Sequence, residues 1–144
     1  MSFDLKISSM DLVINSTGDL QQVVDTEKLI QDILKICLTE VGTNVLQPWY
    51  GSFLSRTVIG SAQQTNMLVQ VAQSQLGTAL GNLQQLQQIQ VKSLQNVSAD
   101  EQISAISNIS VTRNQIDPRL FSVKLSILTK GLKPITTAFN VNTI

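Results

Sequence analysis

The sequence predicts an α+β fold. Its elements are an N-terminal β-hairpin, a core helix, a long Gln-rich helix, a short helix and a C-terminal β-hairpin, with the strands in a small mixed sheet packed on the core helix. Three observations predict it. Phe121, Val123, Leu125 and Ile127 alternate with Ser122, Lys124 and Ser126, the period of two of a half-buried strand. Leu29, Ile30, Ile33, Leu34, Cys37, Leu38 and Val41 recur at helical spacing. Val69, Ala72, Leu76, Ala79, Leu83 and Leu86 fall on the a and d positions of a heptad.

The elements follow in order. Phe3, Leu5 and Ile7 alternate with Asp4 and Lys6; Leu12-Val13-Ile14 runs into the turn signal Asn15-Ser16-Thr17-Gly18-Asp19, and Leu20 to Val24 returns. Asp25 suits a helix N-cap, Glu27 lies in the first turn, and Gly42 suits the position after the helix, so the core helix is expected over 26–41. Cys37 is expected to be buried in it.

Pro48, Trp49, Tyr50, Gly51 and Ser52 then form an aromatic loop with the only Trp and Tyr of the chain. Two readings stand for it. One is a buried plug at the end of the core, with Gly51 at a bend. The other is a contact surface, because aromatic residues are enriched at interfaces.

A long helix is expected over 61–96, widened by Leu68, Leu80 and Ile89. Its opposite face is Gln63, Gln70, Gln73, Gln84, Gln87 and Gln88, with none of the i,i+4 ion pairs of a free-standing helix. Gly77 and Gly81 lie one turn apart, where another helix could approach. The helix either packs within its own subunit or reaches a neighbour. Ser98-Ala99-Asp100-Glu101 has capping-box spacing, which predicts a short helix carrying Ile103, Ile106 and Ile109. Val111 to Gln115 leads as a short strand into Asp117-Pro118-Arg119. Proline lacks the N–H for a ladder and pushes Asp117 out of the helical region, so this tripeptide is an extended corner. It is read either as a strand entry with a surface ion pair or as a docking point for a partner. Beyond Lys130-Gly131 and Lys133-Pro134, Ile135, Thr137, Phe139 and Val141 alternate with Thr136, Ala138 and Asn140, closing a hairpin.

Composition narrows the function. Charged residues are 14% against 42% hydrophobic, well below the ~25% charged of ordinary domains. A surface so poor in charge suits a subunit of an assembly. Net charge is zero and Arg56, Arg113 and Arg119 are scattered, so no basic stripe for nucleic acid is present. No apolar run reaches the ~20 residues of a membrane span, and Met1 to Leu12 has no signal-peptide pattern. The chain is expected to be one domain that folds where it is made. Histidine is absent and cysteine single, which predicts no metal site, no cofactor and no histidine-based catalysis.

Three features, in order, resemble the baseplate wedge and sheath-initiator family of contractile phage tails, which has a counterpart in the type VI secretion baseplate. They are Gly18-Asp19-Leu20 running into Glu27-Lys28-Leu29-Ile30-Gln31-Asp32-Ile33, the loop Pro48-Trp49-Tyr50-Gly51-Ser52, and the corner Asp117-Pro118-Arg119, where the family usually has glutamate first. The match covers roughly residues 10–60 and 105–144; the Gln-rich stretch is longer than the family's connecting helix. The resemblance implies a non-enzymatic structural subunit in the tail baseplate of a virion, assembled in the host cytoplasm. It implies docking of Asp117, Pro118 and Arg119 on the helical core bundle of the wedge. It also implies contact of Thr136, Thr137, Ala138, Phe139, Asn140 and Val141 with the tail sheath protein, with hub or tube-proximal proteins as further neighbours. Two rivals are a coiled-coil adaptor organised by the Gln-rich helix and a peptidoglycan hydrolase, since relatives have carried a lysozyme-like label. For the hydrolase, Glu27, Glu40 and Glu101 and the aspartates are the available carboxylates.

Overall fold

A computed structural model of the chain describes residues 2–9, 11–58 and 65–142. The fold is α+β, as the sequence predicts, and its strands pair antiparallel rather than in a mixed sheet. The N-terminal meander is made of short pieces: β1 (Asp4–Leu5) pairs with β4 (Gln22–Val23), and β2 (Ile7–Ser8) with β3 (Asp11–Leu12). Its tip is the expected turn. The Asn15 carboxamide oxygen accepts from the main-chain N–H of Thr17 and Asp19, and Gly18 takes φ 90°.

Helix α1 spans Asp25–Leu38 and buries Leu29, Ile33, Ile36 and Cys37. It is shorter than expected, and Gly42 lies in the turn beyond it with φ 89°. Asp25 does not cap it. Val24 holds the cap position, and the Asp25 carboxylate instead accepts from the Ser98 hydroxyl at 2.7 Å. Glu101 reaches the helix start from the far end of the chain: its Oε1 accepts from the Asp25 N–H at 3.4 Å. The Ser98–Glu101 capping box is therefore not formed, and both side chains serve α1. A short helix α2 (Leu54–Val58) follows, then α3 (Thr65–Lys92), which buries Leu68, Ala72, Leu76, Ala79, Leu80, Leu83 and Gln87. Positions 61–64, Gln63 among them, lie outside the described residues.

The expected short helix at Ile103 is a strand. Only Ala99–Glu101 form a 3-10 turn, and β5 runs from Ile103 to Arg113. The misreading has a physical cause. Ile103, Ile106 and Ile109 are three residues apart, a helical spacing, but β5 shifts register between Ile103 and Ala105 and again between Ile106 and Asn108. Each bulge takes up one extra residue. All three isoleucines therefore face inward, opposite Thr129, Ile127 and Leu125.

The main sheet is three-stranded, in the order β5, β6 (Leu120–Thr129), β7 (Pro134–Asn142). Phe121, Val123, Leu125 and Ile127 of β6 are buried, together with Ile135 of β7. The other face carries Ser122, Lys124 and Ser126, the usual one-sided burial of an antiparallel sheet. The buried face closes a single core with α1 and α3.

Candidate functional site: an open strand edge

A three-stranded sheet has two edges, and here they differ. The Thr129 N–H donates to the Lys133 carbonyl at 3.0 Å, which makes these a hydrogen-bonded pair. Such pairs alternate along an antiparallel ladder. With the unbroken β6–β7 register, Ile127–Ile135, Leu125–Thr137, Val123–Phe139 and Phe121–Val141 are hydrogen-bonded too. The main-chain groups of Thr136, Ala138, Asn140 and Asn142 then point away from β6. Pro134, which has no N–H to offer, falls on the same outward side. These outward residues are exposed, and among the described residues no hydrogen bond reaches their N–H or C=O groups. Thr137, Phe139 and Val141 point inward and are only half-buried. β7 is an open edge with a partly uncovered apolar flank.

β5 is covered at its Ile103 end and at Ile109. Helix α3 lies along it in the opposite direction and places carboxamides on outward groups there. Gln73 Nε2 donates to the Ile109 carbonyl at 3.1 Å. Gln84 Nε2 donates to the carbonyls of Ile103 (3.3 Å) and Ser104 (3.2 Å). Gln87 does both jobs, donating to the Glu101 carbonyl at 2.8 Å and accepting from the Ile103 N–H at 2.9 Å. At the other end Arg113 donates to the Thr65 hydroxyl at 3.0 Å. These glutamines are not the outer face that the sequence suggested. The residue pattern could have hinted at this: residues 57–91 contain no charged side chain, which suits groups that are to be hydrogen-bonded in partial burial.

The aromatic loop is pinned to the end of α1. Ser52 supplies two of the bonds, from its N–H to the Thr39 carbonyl at 2.8 Å and from its hydroxyl to the Cys37 carbonyl. These satisfy carbonyls that a helix end leaves orphaned. Gly51, at φ 123°, passes so close that a Cβ would lie 2.5 Å from the Thr39 carbonyl oxygen. The loop is no buried plug, however. Tyr50 is half-buried, but Trp49 stays 43% exposed beside Asn82, Leu86 and Ile89 of α3.

Asp117, Pro118 and Arg119 form the exposed connection between β5 and β6. The Asp117 carboxylate accepts from the main-chain N–H of Arg119 at 2.9 Å, and Arg113 Nε donates to the Pro118 carbonyl at 2.7 Å. Leu120 pairs with Asn142, so this corner adjoins the far end of the open β7 edge. Trp49 is elsewhere: the corner is tied through Arg113 to the start of α3, and the loop lies 17–24 residues on, roughly 25–35 Å along a helix.

Four charged side chains meet in a cleft of about 340 Å³ between α1 and α3, lined by Asp4, Lys28, Asp32, Lys35 and Tyr50. Lys28 pairs with Asp32 at 3.0 Å, and Lys35 pairs with Asp32 at 2.9 Å and with Asp4. Burial alone would raise the Asp4 carboxyl, but bonds from Lys35 and Gln31 outweigh it and hold the group below the ordinary carboxylate range. A general acid for glycoside hydrolysis needs the opposite shift. Burial pushes the Tyr50 phenol up, and pushes the Cys37 thiol up to about 12, which leaves it unreactive at neutral pH. No cluster of metal-ligating side chains occurs among the described residues. No helix among them is long and apolar enough to cross a membrane.

The fold has been seen in a crystal. The structure of a "putative tail lysozyme" from Geobacter sulfurreducens matches with a TM-score of 0.59 at 11% identity, over 93% of this chain and 97% of that one. At this identity the likeness is one of fold, and at that coverage it takes in most of the Gln-rich helix. No protein-family description matches the sequence, and no curated protein matches it.

Proposed function

We propose that this chain is a non-enzymatic structural subunit of a contractile tail baseplate, which docks on the wedge and starts the sheath by accepting an added strand. The single observation that carries this reading is the open β7 edge. Outward N–H and C=O groups in a row are a template for another chain. Strand addition holds through main-chain bonds, with alternate side chains setting specificity. The half-buried Thr137, Phe139 and Val141 would be covered by apolar side chains of the incoming strand. Asp117, Pro118 and Arg119, exposed at the end of the same edge, are the wedge contact in this reading, and Trp49 offers a second one. Support comes also from a tail protein sharing the fold. The adaptor reading loses its basis, because the heptad seam of α3 is used inside its own subunit.

Two proline substitutions test the edge. Asn140→Pro removes an outward N–H and leaves the β6–β7 ladder whole, so the subunit should fold and enter the baseplate but fail to start a sheath. Thr137→Pro leaves the Leu125 carbonyl unpaired and should cost about 1–3 kcal/mol of stability. Electron microscopy of assembled tails reads the first outcome and thermal unfolding the second. Normal sheathed tails from Asn140→Pro would overturn the proposal. The name of the fold neighbour makes a hydrolase the competing reading, and clearing of a purified peptidoglycan suspension by the isolated protein would favour it.

A further inference from the structure

We infer that Gln73, Gln84 and Gln87 are an edge seal: they occupy outward main-chain groups of β5 at Ile103, Ser104 and Ile109, so that this chain extends its sheet at β7 and does not grow head to tail through copies of itself. The inference rests on the geometry of the two edges and not on what partner adds at β7.

A chain with both edges open would be its own partner. The β7 edge of one copy would add to the β5 edge of the next, and that head-to-tail contact does not close on itself. The product would be a growing sheet. The carboxamide is the side chain suited to prevent this, because it is a peptide group on a flexible stem, with one acceptor and an NH₂ donor. Gln87 bonds the Glu101 carbonyl and the Ile103 N–H, two residues apart, as a residue of a neighbouring strand would. Being uncharged, it does so at 5% exposure without the desolvation cost of a lysine or glutamate.

The helix also has the length the task requires. From Thr65 to Gln87 it advances about 33 Å at 1.5 Å per residue, and β5 from Arg113 to Ile103 covers about 33 Å at 3.3 Å per residue. The contacts keep step, Thr65 at Arg113, Gln73 at Ile109, Gln84 at Ile103 and Ser104, Gln87 at Ile103.

The experiment replaces the three glutamines by methionine, which keeps length and helix propensity and loses the hydrogen bonds. The variant Gln73→Met/Gln84→Met/Gln87→Met should retain its circular dichroism and show light-scattering masses that climb with concentration through multiples of 15.8 kDa. Adding Asn140→Pro, which blocks the β7 edge, should return it to a monomer. Gln70, Gln85 and Gln88 are exposed on the same helix, so the matched variant Gln70→Met/Gln85→Met/Gln88→Met should stay monomeric. If the buried Gln87→Met prevents folding, the Gln73→Met/Gln84→Met pair carries the same test. A seal variant that stays monomeric, an association indifferent to Asn140→Pro, or equal association of the matched variant each overturns the inference.

Discussion

Asp4 shows how a single residue ties two elements. It sits in β1, and its carboxylate takes bonds from Gln31 and Lys35 of α1. The ion pair raises the Lys35 pKa against its burial, through Asp4 and Asp32, and lowers that of Asp4. Because the Asp4 value is depressed in the folded state, its contribution is present above the unfolded value of about 3.9 and is lost as pH falls through the folded value. The Lys35 contribution is present below about 10.4 and is lost as pH rises past the folded value. Both side chains are about a third exposed, so solvent screening limits the pair to under ~1 kcal/mol. The gap in thermal midpoint between the parent and Asp4→Asn should be open at pH 6 and close by pH 2. A gap of constant size would show that Asp4 acts through packing instead.

At the scale of elements, the contact between the aromatic loop and α1 depends on the absence of a side chain at Gly51. Gly51→Ala puts a methyl against the backbone of Thr39, Glu40 and Val41 and strains a φ of 123°. A loss of about 2–4 kcal/mol is expected, read by denaturant unfolding. A change below half a unit would mean that the loop can lift off α1 freely. Elements were legible in the sequence where one physical rule acted alone. β6 and β7 follow a period of two because one face is buried, and α1 follows a helical period for the same reason. β5 was illegible because two bulges turn a strand into a spacing of three at Ile103, Ile106 and Ile109. Asp25 and the Ser98–Glu101 pair have the composition of local caps but bond to each other across more than 70 residues. No local rule can foresee that pairing.

For the molecule as a whole, the candidate site was legible in part. The alternation in β7 gave its inward and outward residues, but which edge stays open depends on where α3 lies, a contact 14 to 36 residues away in the chain. Trp49 was equally undecidable, since composition does not say which side of a large aromatic meets its own chain. Its exposure now separates stability from assembly. Trp49→Ala should cost about 1 kcal/mol in the free protein, well under the 3–5 kcal/mol of a buried tryptophan. Under the proposed docking on a wedge, copurification with wedge subunits should fall much more. Full incorporation of the variant would remove the loop from the docking surface.

The uncharged run from residue 57 to residue 91 has one further consequence. Screening by dissolved ions acts on charges, and apart from Arg113 the bonds that fasten α3 along β5 join neutral groups. The covering of that edge is therefore set almost independently of ionic strength. The same covered flank is therefore expected in dilute fresh water and in brine, whatever the salt does to the Asp4–Lys35 tether.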